Sequence, residues 1–117
     1  MSKSYPETTR RIVSSIKTLR KDIPDTMAGF SAMAAGATKD GALDTKTKEL
    51  IALAIGVATR CDGCIGFHME ALVKLDATRA EVEEAIGMAV YMGGGPALMY
   101  GADAMLAYEQ FCEKHDR

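Results

Sequence analysis

Apolar residues recur at intervals of three and four along most of the chain, and strict apolar/polar alternation is nearly absent, which is the pattern of helices rather than strands. Ile12, Ile16, Leu19 and Ile23 form a stripe on a charged background and predict a first amphipathic helix that ends near Pro24. Asp25 is placed to cap a short second helix, about Thr26 to Ala35, before Gly36 and the turn-forming Lys39-Asp40-Gly41 break the chain. From Asp44, a candidate N-cap, a third helix is expected to about Thr59 through Leu50, Ile51, Leu53, Ala54, Ile55 and Val57, apolar on nearly every side. The Cys61 segment opens a fourth, to about Leu75. Thr78-Arg79-Ala80-Glu81 spells a capping box for a fifth, to about Met92, which Gly93-Gly94-Gly95-Pro96 ends. A last helix, Ala97 to about Lys114, is again apolar on most faces. The expected fold is all-α, a small bundle of about six helices in a single domain spanning residues 1–117.

Two nearly all-apolar helices are hard to bury in so short a chain, because a small domain has much surface for its volume; subunit association is the expected remedy. Against this, many of the positions are Ala or Gly, whose exposure costs little. Composition narrows the class further. With 48% hydrophobic and 26% charged residues, the chain suits a soluble globular protein and excludes a disordered or collagen-like one. Fourteen Lys and Arg against sixteen Asp and Glu leave a net charge of −2 with no block of like sign, so no nucleic-acid or polybasic membrane surface is expected. The longest apolar stretch, Leu50 to Ala58, is about half the roughly 20 residues of a spanning helix, and Met1 to Arg11 has no signal-type run. A cytoplasmic location and no membrane partner are the expectations.

Three cysteines are too few for a secreted disulfide scaffold, yet two of them stand as Cys61-Asp62-Gly63-Cys64, a spacing that in a cytosolic chain points to redox or metal chemistry. On a helix, Cys61, Cys64 and His68 fall at about 0°, 300° and 340°, one stripe on which two thiols and an imidazole can meet. A helix N-terminus or nearby His lowers a thiol pKa from about 8.5 into a range of roughly 3.5 to 7.5. The second thiol can then resolve a sulfenic acid formed on the first, giving a reversible disulfide. Glu49 is the only acidic residue inside the third helix. If the third and fourth helices form a hairpin turning near Arg60, Glu49 and His68 lie about 16 and 12 Å from the turn, within one helical turn of each other. Glu49 can then orient His68 or relay a proton. Its alternative is an exposed first-turn carboxylate favoured by the helix dipole.

Other readings compete. Cys61 and Cys64 can be small buried residues with His68 as a core histidine. Cys112 and His115 can add two ligands to a structural zinc set, although the distance in sequence favours Cys112 as a packed or free thiol. Gly93-Gly94-Gly95-Pro96 lacks the preceding strand of a phosphate loop and reads as a helix connection, and the eight Met residues read as adaptable core packing.

The runs Asp40-Gly41-Ala42-Leu43-Asp44, Lys48-Glu49-Leu50-Ile51-Ala52-Leu53-Ala54, Cys61-Asp62-Gly63-Cys64-Ile65, His68 and Gly94-Gly95-Pro96-Ala97 resemble the carboxymuconolactone decarboxylase family, and within it the alkylhydroperoxidase D-like branch. The resemblance covers roughly Asp40 to Met105. Its motif, Glu, eleven residues, Cys-x-x-Cys, three residues, His, is matched by Glu49, Cys61, Cys64 and His68. The resemblance implies an all-helical homotrimer or homohexamer and a thiol-dependent peroxidase or disulfide reductase, without a cofactor or metal. Its partners would be a small hydroperoxide and a thiol or dithiol reductant. Cys64 would be the peroxide-attacking nucleophile and Cys61 the proton donor and resolving thiol, with Glu49 and His68 as relay. Helix position alone favours Cys61 as the more acidic thiol. Alkylhydroperoxidase D itself carries a His just before the second Cys, where this chain has Gly63. The branch that acts on a muconolactone generally lacks the Cys pair, which ranks that activity low. A non-enzymatic zinc-binding or redox-sensing helical oligomer is the alternative of a different class.

Overall fold

A computed structural model describes residues 3–117. It contains six helices in chain order: α1 (Tyr5–Asp22), α2 (Pro24–Thr38), α3 (Thr45–Ala58), α4 (Asp62–Lys74), α5 (Arg79–Gly93) and α6 (Gly95–Lys114). The all-α bundle expected from the apolar periodicity is the observed architecture.

Local chemistry explains most of the boundaries. Asp44 caps α3 by accepting from Thr47 N–H at 2.8 Å. Thr78 and Glu81 form the reciprocal capping box of α5, at 3.1 and 2.9 Å. Ser4 caps α1, which starts earlier than its apolar stripe does. At the next junction the expectation fails: Asp25 does not cap α2. Pro24 occupies the first turn, Ile23 alone separates the two helices, and no side chain caps the start. The helix also runs past Gly36 to Thr38, because an exposed glycine within a helix only weakens it. The break falls at Asp40, whose carboxylate accepts from both the backbone and hydroxyl of Thr45.

The core gathers Leu53 and Val57 of α3, Ile65, Met69 and Leu72 of α4, Val82 and Ile86 of α5, and Ala104 and Phe111 of α6. Helix α3 lies at the centre, packed on α4, α5 and α6, as its apolar composition suggests. Helix α1 behaves differently from its stripe. Its first turns dock on α4 and α6 through buried Tyr5 and Thr9, whereas Leu19 and Ile23 at its far end are 45% and 43% exposed. Helix α2 buries no residue at all. The radius of gyration, 14.4 Å against about 13 Å for a compact domain of this length, reflects that projecting arm. Among the described residues no helix is long and apolar enough to cross a membrane.

Candidate functional site

The site is built on the α3–α4 hairpin. Arg60, with φ +58°, takes the left-handed conformation that reverses the chain, and Cys61 follows as the N-cap of α4. Its Sγ accepts from the backbone N–H of Cys64 at 3.1 Å, the place usually held by a Ser or Asp oxygen. Cys61 and Cys64 are joined as a disulfide, with Cα atoms 5.2 Å apart. Both are half-buried. Cys61 thus stands just before the helix, with extended backbone, and not on the helical stripe drawn from the sequence; it is from the N-cap that its sulfur reaches Cys64.

Glu49, Leu53 and Gly56 face α4 at steps of four and three along α3, and all three are buried. Glu49 therefore occupies a core position and is not an exposed first-turn carboxylate; its side chain is 8% exposed. Its Oε2 lies 2.7 Å from His68 Nδ1. A carboxylate accepts, so the imidazole donates through Nδ1, which leaves Nε2 able to take or give a proton. Two turns along α3 towards the disulfide, the absence of a side chain at Gly56 admits Cys64: a Cβ on Gly56 would stand 3.2 Å from Cys64 Cβ. The four matched residues, Glu49, Cys61, Cys64 and His68, thus belong to one hairpin.

The opposite face of α4 is closed by α1. A Cβ on Gly63 would meet Ile12 Cδ1 at 2.8 Å, and one on Gly66 would meet Thr9 Cγ2 at 2.5 Å. A side chain at position 63 would meet the terminal methyl of the half-buried Ile12, which must shift to admit it. Periodicity cannot show this contact, because the partner helix lies about fifty residues away in sequence. The sequence reading also missed Lys3, whose ammonium pairs with Asp62 inside the Cys-x-x-Cys motif.

The proposed zinc set does not assemble. His115 bonds instead to Glu70 at 2.8 Å, Cys112 is a free, half-buried thiol, and Cys61 and Cys64 are bonded to each other. Among the described residues no three His, Cys, Asp or Glu side chains are grouped to hold a metal ion.

Comparison with known proteins agrees with this architecture. An uncharacterised protein of Haemophilus influenzae is 39% identical over 108 residues, covering 92% of this chain and 96% of its own. Another, from Cupriavidus necator, is 37% identical over 86 residues, 74% of this chain and 76% of its own. Among solved structures, a carboxymuconolactone decarboxylase family protein from Legionella pneumophila superposes with a TM-score of 0.91 at 57% identity, covering 94% of this chain and 98% of that one. A Thermotoga maritima protein of the same family, for which a part in an antioxidative response has been suggested, gives 0.78 at 27% identity over 91% and 93% of the two chains. Residues 24–107 match the carboxymuconolactone decarboxylase family, and the chain belongs to that family.

Proposed function

We propose that the protein is a thiol-dependent peroxidase, of the alkylhydroperoxidase D-like kind, that reduces hydroperoxides at the expense of a dithiol. The observation that carries this reading is a Cys61–Cys64 disulfide in the same hairpin as a buried, hydrogen-bonded Glu49–His68 pair. The family relative linked to an antioxidative response supports it.

In the proposed cycle the Cys64 thiolate attacks the terminal oxygen of the hydroperoxide. The O–O bond breaks, the alcohol leaves with a proton delivered through the Glu49–His68 relay, and Cys64 becomes a sulfenic acid. The Cys61 thiol then displaces water from that sulfur and forms the disulfide. An external dithiol reduces the pair through a mixed disulfide and is itself oxidised. Such reductants are maintained in the cytoplasm, the location proposed for the chain. Each turnover consumes two electrons, one peroxide and one dithiol, so anaerobic titration of reduced protein with hydroperoxide should remove two thiols per peroxide consumed. With excess dithiol present, alcohol formation that stops at one equivalent per protein would leave a redox sensor in place of an enzyme.

One observation favours the reverse order of thiols. The hydrogen bond from Cys64 N–H to Cys61 Sγ would persist onto a Cys61 thiolate and stabilise it. Mass spectra decide: with Cys64 as nucleophile, Cys61→Ser retains a sulfenic acid on Cys64 after peroxide, and Cys64→Ser retains none.

Residues 1–117 are read as one domain, and the working form as a homotrimer or homohexamer. Phe30, Ile55, Tyr91 and Met92 are 57–79% exposed, and α2 has no buried face within its own chain. Apolar surface of this extent is what subunit association covers. Light scattering should return a multiple of 12.5 kDa at micromolar concentration, and a value of 12.5 kDa would reject the assembly.

A further inference from the structure

Lys3, just before α1, and Tyr5, its first residue, are held against the redox motif and α6 by contacts that peroxide chemistry does not itself require. Gln110 of α6 brackets their backbone: its Nε2 donates to the Lys3 carbonyl at 2.7 Å, and its Oε1 accepts from Tyr5 N–H at 2.9 Å. Two turns earlier, Asp103 accepts from the Tyr5 hydroxyl at 2.9 Å. Tyr5 is fully buried, and burial pushes its phenol up to about 12, so it remains a donor. The Lys3 ammonium is thereby brought to a fixed place, 2.5 Å from Asp103 Oδ2 and 3.2 Å from Asp62 Oδ1. Burial alone would lower its pKa, but hydrogen bonds to Asp103, Tyr5 and Asp62 outweigh it and raise the ammonium above its ordinary value.

Asp62 directly follows Cys61 and opens α4. A carboxylate there suits the positive end of the helix dipole, yet it stands in the same turn as both sulfurs and opposes the formation of a thiolate. Other charged groups around the hairpin do not offset it. Glu49 and His68 are engaged with each other, Arg60 is exposed in the turn, and the α1 side chains that lie against Gly63 and Gly66 of α4, Ile12, Thr9 and Tyr5, carry no cation. Asp62 and Asp103 bring two negative charges and Lys3 one positive, so the cluster carries −1 with Lys3 and −2 without it.

We propose that Lys3 is a positioning residue for the thiol chemistry: by pairing with Asp62 it offsets the carboxylate beside Cys61 and keeps the reacting thiol of the Cys61/Cys64 pair ionised at neutral pH. The inference rests on the proposed function only in that a thiolate must form in the hairpin.

The test is the pH dependence of iodoacetamide alkylation of the reduced protein, in a Cys112→Ser background so that only the pair reports. A partly exposed ion pair supports a change of about 1.5- to fivefold in rate below the thiol pKa. Lys3→Met should slow alkylation by that factor and move the profile to higher pH, Asp62→Asn should speed it, and Lys3→Met should add little once Asp62 is Asn. Lys3→Arg should restore the original profile. Equal slowing by Lys3→Met in both backgrounds would mark an action of the ammonium that does not pass through Asp62 and overturn the proposal, as would an unchanged profile in Lys3→Met. Alkylation needs no peroxide, so a protein that consumes no hydroperoxide but shows this pattern would lose the peroxidase reading and keep this one.

Discussion

The two ends of α4 carry nearly the same side chains and set them in different surroundings. At the N-terminal end stand Cys61 and Cys64, with His68 bonded to Glu49. At the other end Glu70 bonds to His115, and Cys112 stands three residues before that histidine. Each end thus has a carboxylate, an imidazole and a thiol. What differs is the surroundings. Glu49 is 8% exposed with the imidazole as its hydrogen-bonding partner, whereas Glu70 also accepts from Lys114 at 2.9 Å and is 18% exposed. A carboxylate shared between an imidazole and an ammonium is a fastening for the C-terminal turn of α6, whereas the buried Glu49 bonds to an imidazole without an ammonium beside it. Residue type alone does not make a site; the number and kind of partners does.

Four experiments press on that contrast. The largest effect is expected from Glu49→Gln, which should lower peroxide turnover by about 10² to 10⁴, the range for loss of a general acid or base, while the protein still folds at assay temperature in this nearly isosteric swap. Turnover that survives would remove Glu49 from the relay. Next in size is Gly63→His, which pushes an imidazole into Ile12 and should destabilise the protein by about 1–3 kcal/mol, as overpacking does. Ile12→Ala should recover part of that loss in denaturant melts, and failure to recover any would refute the steric account of position 63.

Glu70→Gln should cost about 1 kcal/mol with unchanged peroxide consumption. Burial alone would raise the Glu70 carboxyl, but hydrogen bonds from Lys114 and His115 hold it below its ordinary 4.5. A carboxyl depressed in the folded state contributes stability that is present above its unfolded pKa and is lost as pH falls through the folded value. Melting temperature should therefore drop below about pH 4.5 in the parent, and the Glu70→Gln profile should be flatter there. The smallest effect belongs to Cys112→Ser, within about 0.5 kcal/mol, with the Cys61–Cys64 disulfide still formed by peroxide. Peptide mapping that placed Cys112 in the dominant oxidised product of the parent would erase the distinction between the two ends.

What was legible in the sequence follows the range of the interaction. The capping box at Thr78 and the Asp44 cap are contacts over three residues, and both stand as read. The hairpin arithmetic that put Glu49 near His68 also succeeds, because two helices joined by a short turn leave little freedom. Glu49 carried a further local sign, its place on the same stripe as Leu53 and Gly56. Asp25 was misread because Pro24 competes for the helix start. The face of α1 that docks, and the pairing of Lys3 with Asp62 and Asp103, join residues 59 and 100 positions apart, and no local pattern encodes them. The α1 stripe announces a helix correctly without announcing which of its turns find a partner.

The link between α5 and α6 is a single residue, Gly94, at φ +72° and ψ −154°, and nothing stands within 4 Å of where its Cβ would be. Space is thus not what excludes other residues there. The obstacle is handedness: that backbone region is closed to L side chains and open to their mirror images. A chain made by chemical ligation with D-alanine at this corner should fold as readily as the parent, while its L-alanine epimer, identical in composition and volume, should not.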